Sequence, residues 1–107
     1  MSRASYTVVE AASVFNDYLA ISTFIEQATG DRDLADRTVD SIRRAVASLS
    51  HTPRRGVPRG DLRQGLRLLF YRRRTVIAYD VDEHRTLVRV LRVFYGGQDY
   101  EALLSRS

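Results

Sequence analysis

Apolar positions recur at helical spacing in the first half of the chain and at strand spacing in the second. Tyr6-Thr7-Val8-Val9 is a short β-prone run that gives way to helical spacing at Ala11 and Ala12. Val14, Tyr18, Ile21, Ile25 and Ala28 fall on one face with Phe15 and Phe24 at its edges, which predicts an amphipathic helix ending at Thr29-Gly30. Asp31 and Asp33 offer N-caps for a second helix whose stripe is Ala35, Val39, Ile42, Val46 and Leu49. The short connection makes the two a tight antiparallel hairpin.

The stretch His51 to Gly60 holds both prolines and two glycines, so it reads as a loop leaving the hairpin. Beyond it the period changes. Leu66 to Tyr71, Thr75 to Val81 and Leu87 to Tyr95 are rich in β-branched and aromatic residues, separated by Arg72-Arg73-Arg74 and Asp82-Glu83-His84-Arg85. Such short polar links favour an antiparallel meander. The third run is apolar on both faces apart from Arg89 and Arg92 and is expected to be the central strand. Gly96-Gly97 stops it, and Asp99 is placed to cap a last helical turn through Tyr100, Leu103 and Leu104. The expected fold is α+β in the order β-α-α-β-β-β, one small antiparallel sheet with an N-terminal helical hairpin on one face and a short C-terminal helical turn.

Length sets the scale of this reading: 107 residues suit a single domain spanning 1–107 with one core. Neither a run of about eighteen apolar residues nor a basic-then-apolar leader is present, so no membrane association is expected and the cytoplasm is the expected compartment. The absence of cysteine removes thiol nucleophiles, disulfides and thiolate metal sites, and two histidines far apart leave little for metal chemistry. No metal or cofactor is expected. A net charge of +4 points to an anionic partner, nucleic acid or an acidic protein segment. All seventeen basic residues are arginines, so a lysine acting as general base is excluded.

The ordered set of residues resembles the RelE/ParE family of toxins from bacterial type II toxin–antitoxin systems, particularly the ParE branch. Asp17-Tyr18, Ile21 and Phe24-Ile25 match the pattern of the family's first helix. Pro53, Gly56, Leu62-Arg63, Gly65 and Arg67 match its loop and the entry to the following strand. Val76-Ile77-Ala78-Tyr79 matches the next strand, and Val90-Leu91-Arg92-Val93-Phe94-Tyr95 followed by Gly96, Gly97 and Asp99 matches the last. The resemblance runs from about Val14 to Leu104. One departure is Tyr95, where the family often has a histidine, so an acid–base role at that position loses its titrating group.

Two activities follow from this resemblance. RelE-like members cut messenger RNA on the ribosome, which requires a proton acceptor, cations for the phosphorane charge and a proton donor for the leaving oxygen. Here the matching catalytic set would be Arg63, Arg67, Arg92 and Tyr95. The branch's lysine positions fall near Arg59 and Asp61, and a C-terminal arginine gives way to Gly96 or Gly97. ParE-like members trap DNA gyrase and need a shaped surface rather than an acid–base pair, which is the preferred reading. A toxin remnant that only binds is the third.

The resemblance also implies a cognate antitoxin whose disordered C-terminal segment folds on the toxin to form a hetero-oligomer. The residues expected to meet antitoxin or target are Arg59, Arg63, Arg67, Arg92, Tyr95, Asp99 and Tyr100. Arg63 and Arg67, four apart, would share a strand face and clamp one anion, or else cover the sheet edge and pair with Asp61 or Asp99. Arg89 and Arg92 differ in parity and would point to opposite faces. Arg72-Arg73-Arg74 reads as a solvated basic hairpin tip, with contact to nucleic acid as the sharper alternative. Tyr95 and Tyr100 serve recognition or core packing alike. His51 and His84 are expected to be exposed and without function.

Overall fold

The computed structural model describes residues 5–105. Strand β1 (Thr7–Glu10) runs directly into helix α1 (Ala12–Thr29), followed by α2 (Arg32–Ala47) and a 3-10 turn at Ser48–Ser50. Strands β2 (Val57–Pro58), β3 (Arg67–Tyr71), β4 (Thr75–Asp82) and β5 (Leu87–Tyr95) follow, and α3 (Tyr100–Ser105) closes the order. The α1–α2 corner forms as its residues dictate. Gly30 takes a left-handed φ of 69° and returns its N–H to Glu26, while the Asp31 side chain accepts the Leu34 amide to start α2.

The apolar stripes of the two helices meet one face of the sheet. Val14, Tyr18, Ile21 and Ile25 of α1, together with Ala35, Ile42 and Val46 of α2 and Leu49 beyond it, are buried against Leu69, Ile77, Tyr79, Val88, Val90 and Val93. Ala28, assigned to the stripe by spacing, is exposed because it lies in the last turn of α1. A smaller cluster of Leu66, Leu68, Ala78, Phe94 and Leu104 lies on the opposite face. There α3 covers the sheet, with Asp99 accepting the Ala102 amide at 3.2 Å as the expected cap.

The sheet order is β1-β5-β4-β3-β2, so β5 is interior but the middle position belongs to β4. The meander β3–β4–β5 is antiparallel as expected, and Val57–Pro58, read as loop, adds a two-residue edge strand. At the other edge β1 runs parallel to β5, so the sheet is mixed rather than wholly antiparallel. The direction is free to differ because no tight turn joins these strands. The helices and the meander between them supply the long crossover that a parallel pair requires.

One local feature of β5 shapes the site. Tyr79 pairs with Val90 and Ala78 with Arg92, so Leu91 is an extra residue, a β-bulge. The bulge resets parity: Val88, Val90 and Val93 all face the helices, while Leu91 and Phe94 face away. Arg89 and Arg92, opposite Asp80 and Ala78 in register, therefore leave on the same side of the sheet, not on opposite sides as regular alternation would have it.

Candidate functional site

β1 covers β5 only from Leu87 to Val90. Beyond that point α1 takes over the edge. The Ala11 amide donates to the Val90 carbonyl at 2.9 Å, the Ser13 hydroxyl to the Leu91 carbonyl at 3.0 Å, and the Val93 amide donates to Asp17 Oδ2 at 2.8 Å. The Arg92 guanidinium leans over the same edge onto Asp17, with Nε 2.9 Å from Oδ2 and Nη2 3.0 Å from Oδ1. Its other side lies 4.9 Å from the centre of the Phe94 ring. Asp17 is nearly buried, its side chain 10% exposed, and these donors satisfy a carboxylate that would otherwise be costly to remove from water.

Next to this ion pair a cleft of about 340 Å³ opens between α1 and the end of β5. Asp17, Ala20, Phe24, Arg92, Tyr95 and Gln98 are among its walls. The rings of Phe24 and Tyr95 meet edge to face at 6.0 Å, and Arg74 reaches over the Tyr95 ring. Gly96 leaves the strand at φ 74°, and a Cβ there would approach the Phe24 ring to 3.3 Å.

Of the sequence-predicted site residues, only Arg92 and Tyr95 meet in this cleft. Arg63 sits in a turn before β3, not on a strand, and borders a separate depression of about 310 Å³ shared with Ser13, Arg92 and Leu103. It cannot share a strand face with Arg67. The turn forms because Gly65 takes a φ of 79° and Arg63 accepts the Leu66 amide on its carbonyl, which delays the strand to Arg67. Arg67 lies opposite Tyr79 and donates to the carbonyls of Gly56 at 2.8 Å and Arg54 at 3.2 Å. It holds the β2 loop and borders none of the depressions lined by Arg63, Arg92 or Tyr95.

The remaining candidates fasten α3. Arg59 makes a two-pronged bond to Asp61 at 2.9 Å and reaches Glu101 at 2.8 Å. Donation to Asp61 and Glu101 pushes the Arg59 pKa up, and the bond received from Arg59 holds the Asp61 carboxyl below its ordinary range. Asp61 thus pairs with Arg59 rather than with Arg63 or Arg67. Tyr100 packs its ring against Phe94 and Phe70, a core contact, and Asp99 caps the helix. His51 and His84 are exposed turn residues.

Sequence reasoning passed over Asp17 as a partner of Arg92, and Phe24 and Gln98 as walls of the cleft. The spacing of Val88, Val90 and Val93 carried the signal for the bulge that aims Arg92 at the edge: a step of two residues, then a step of three. Chemically the cleft joins an apolar wall to a cation whose carboxylate partner is fully engaged. Such an arrangement can receive an apolar group beside the Arg92 cation.

The architecture, a helical hairpin on a five-stranded sheet with an arginine–carboxylate clasp at the hairpin edge, defines a small α+β domain. The profile described as "ParE toxin of type II toxin-antitoxin system, parDE" matches residues 11–100, and the chain belongs to this toxin family. No curated protein sequence matches it. Among solved structures, the fold is similar to the chromosomal ParDE toxin–antitoxin system from P. aeruginosa, with a TM-score of 0.74 and 19% identity over 89% of this chain and 100% of that one. It is also similar to the RelBE2 toxin–antitoxin complex from Mycobacterium tuberculosis, with a TM-score of 0.64 and 22% identity over 86% of this chain and 99% of that one. These likenesses bear out the RelE/ParE fold expected from the sequence.

Proposed function

We propose that this toxin acts by binding DNA gyrase and that a cognate antitoxin neutralises it by covering the same side of the molecule. The observation that carries the reading is the commitment of the would-be catalytic arginines. Arg92 is spent on Asp17, Arg67 on two backbone carbonyls, and Arg63 borders a depression that Arg92 shares but Arg67 and Tyr95 do not. Phosphodiester cleavage needs cations and an acid–base pair converging on one phosphate. A binding surface needs only shape and complementary charge.

The antitoxin would supply the surface that α1 lacks. Phe15, Leu19 and Phe24 are 62%, 53% and 49% exposed on that helix, apolar area suited to a segment that folds on contact. Acidic residues of the same segment would reach Arg63, Arg67 and the last strand. A toxin–antitoxin complex that is neutral while leaving Arg63, Arg67 and β5 in solvent would refute this placement.

Expression of the chain alone, with pulse labelling of DNA and protein synthesis, tests the target. Replication is expected to stop first, and purified toxin should accumulate linear DNA in a gyrase cleavage assay. Early loss of translation with codon-positioned cuts in messages would instead establish the ribonuclease, and harmless expression the binding remnant.

A further inference from the structure

The β3–β4 turn carries Arg72, Arg73 and Arg74, all exposed, at the end of the sheet where Arg37 of α2 also emerges. Two open depressions flank this tip and share Arg74 and Tyr95. One, of about 350 Å³, is bordered by Arg37, Arg72, Arg74 and Ser41; the other, of about 240 Å³, by Arg73, Arg74 and Gln98. No carboxylate lines either. Among the described residues none of the four arginines at this end forms an ion pair. Arg32, Arg43, Arg44, Arg55, Arg63 and Arg67 likewise form no ion pair among the described residues, whereas Arg54, Arg59, Arg85, Arg89 and Arg92 each meet a carboxylate within 4.0 Å.

The turn holds its charge at a conformational cost. Arg72 and Arg73 have φ of 50° and 67°, a left-handed backbone that disfavours an L-residue and that glycine or asparagine would fill more easily. We infer that this tip is a binding site for the phosphate backbone of duplex DNA. Of the nearest rings, Tyr71 lies 5.3 Å under Arg72, Tyr95 lies 6.0 Å under Arg74 and Tyr100 packs on Phe94, which leaves Phe70, 51% exposed, as one open ring rather than a row of platforms for successive bases. Stacking recognition of single strands is therefore disfavoured, and phosphate contact remains. An acidic peptide that folds on binding would need a row of apolar anchors, which α1 offers at Phe15, Leu19 and Phe24, whereas the tip has Phe70 in one depression and the less exposed Leu34 in the other.

The site deepens the gyrase reading, on which its biological setting rests: the tip would touch the DNA that gyrase holds. The test does not require gyrase. Fluorescence anisotropy of a short labelled duplex of mixed sequence is followed against salt for the purified toxin, for Arg72→Asn/Arg73→Gly and for Arg37→Gln. Three or four phosphate contacts predict a slope of log K against log salt of about −3, lowered in magnitude by about 2 in the double variant and about 1 in Arg37→Gln. Because asparagine and glycine suit the turn, the double variant should melt no lower than the parent. Absence of duplex binding at low salt, unchanged slopes in both variants, or tighter binding of a polyglutamate peptide than of duplex would each overturn the inference. Duplex binding with these slopes in a chain that fails to stall gyrase would refute the gyrase reading alone.

Discussion

Asp17 is one carboxylate with two duties: it neutralises Arg92 and accepts the Val93 amide. Removing it leaves a half-buried guanidinium and a strand N–H without partners. Asp17→Ala is therefore expected to destabilise the fold by about 3 kcal/mol, measured by urea denaturation. Asp17→Asn, which keeps an acceptor for Val93, should cost less. Gly56 is a second residue where one atom decides. Its N–H donates to the Tyr79 hydroxyl at 2.7 Å, and a Cβ there would meet that oxygen at 2.7 Å as well. Tyr79 is wholly buried and has no room to withdraw, so Gly56→Ala should cost at least about 2 kcal/mol in the same measurement. The family resemblance pointed to Gly56 and Asp17 as matching positions, but a motif match does not say what each side chain touches. Contacts between residues 75 or so apart in sequence arise only from the tertiary fold.

At the scale of elements, the helices were legible because their stripes repeat over several turns and their ends carry Asp31 and Gly30. The meander was legible from its β-branched runs. The parallel pairing of β1 was not, since four residues without an adjoining hairpin carry no directional signal. Nor was the turn at Arg63, where Leu62 and Leu66 on one parity and Arg63 and Arg67 on the other imitate a strand while Gly65 breaks it. The β4–β5 turn holds a different kind of misfit. Thr86, β-branched, sits at φ 49°, with its amide donating to Glu83 and its carbonyl receiving the Thr7 amide at 2.9 Å. Glycine adopts this backbone without penalty, so Thr86→Gly is expected to raise stability by about 1 kcal/mol, seen as a higher melting temperature with the far-UV spectrum unchanged.

Across the whole molecule, two phenols tie stability to pH. Burial pushes the pKa of Tyr18 up, helped by its hydrogen bond to Glu10 at 2.6 Å, and burial likewise raises that of Tyr79. A group whose pKa rises on folding lends stability that is complete below its unfolded value, here 10.0, and that drains away as the pH climbs towards the folded value. Melting temperatures should therefore fall above about pH 10, and Tyr18→Phe should reduce that fall. The way the sheet ends has a further consequence. A bare strand margin invites another copy to zip on and so to polymerise. Here one margin is a two-residue strand containing Pro58, and β5 beyond Val90 is taken by Ser13 and Asp17. A chain lacking α1 would lose that guard, and the margin from Leu91 to Val93 would become an adhesive seam.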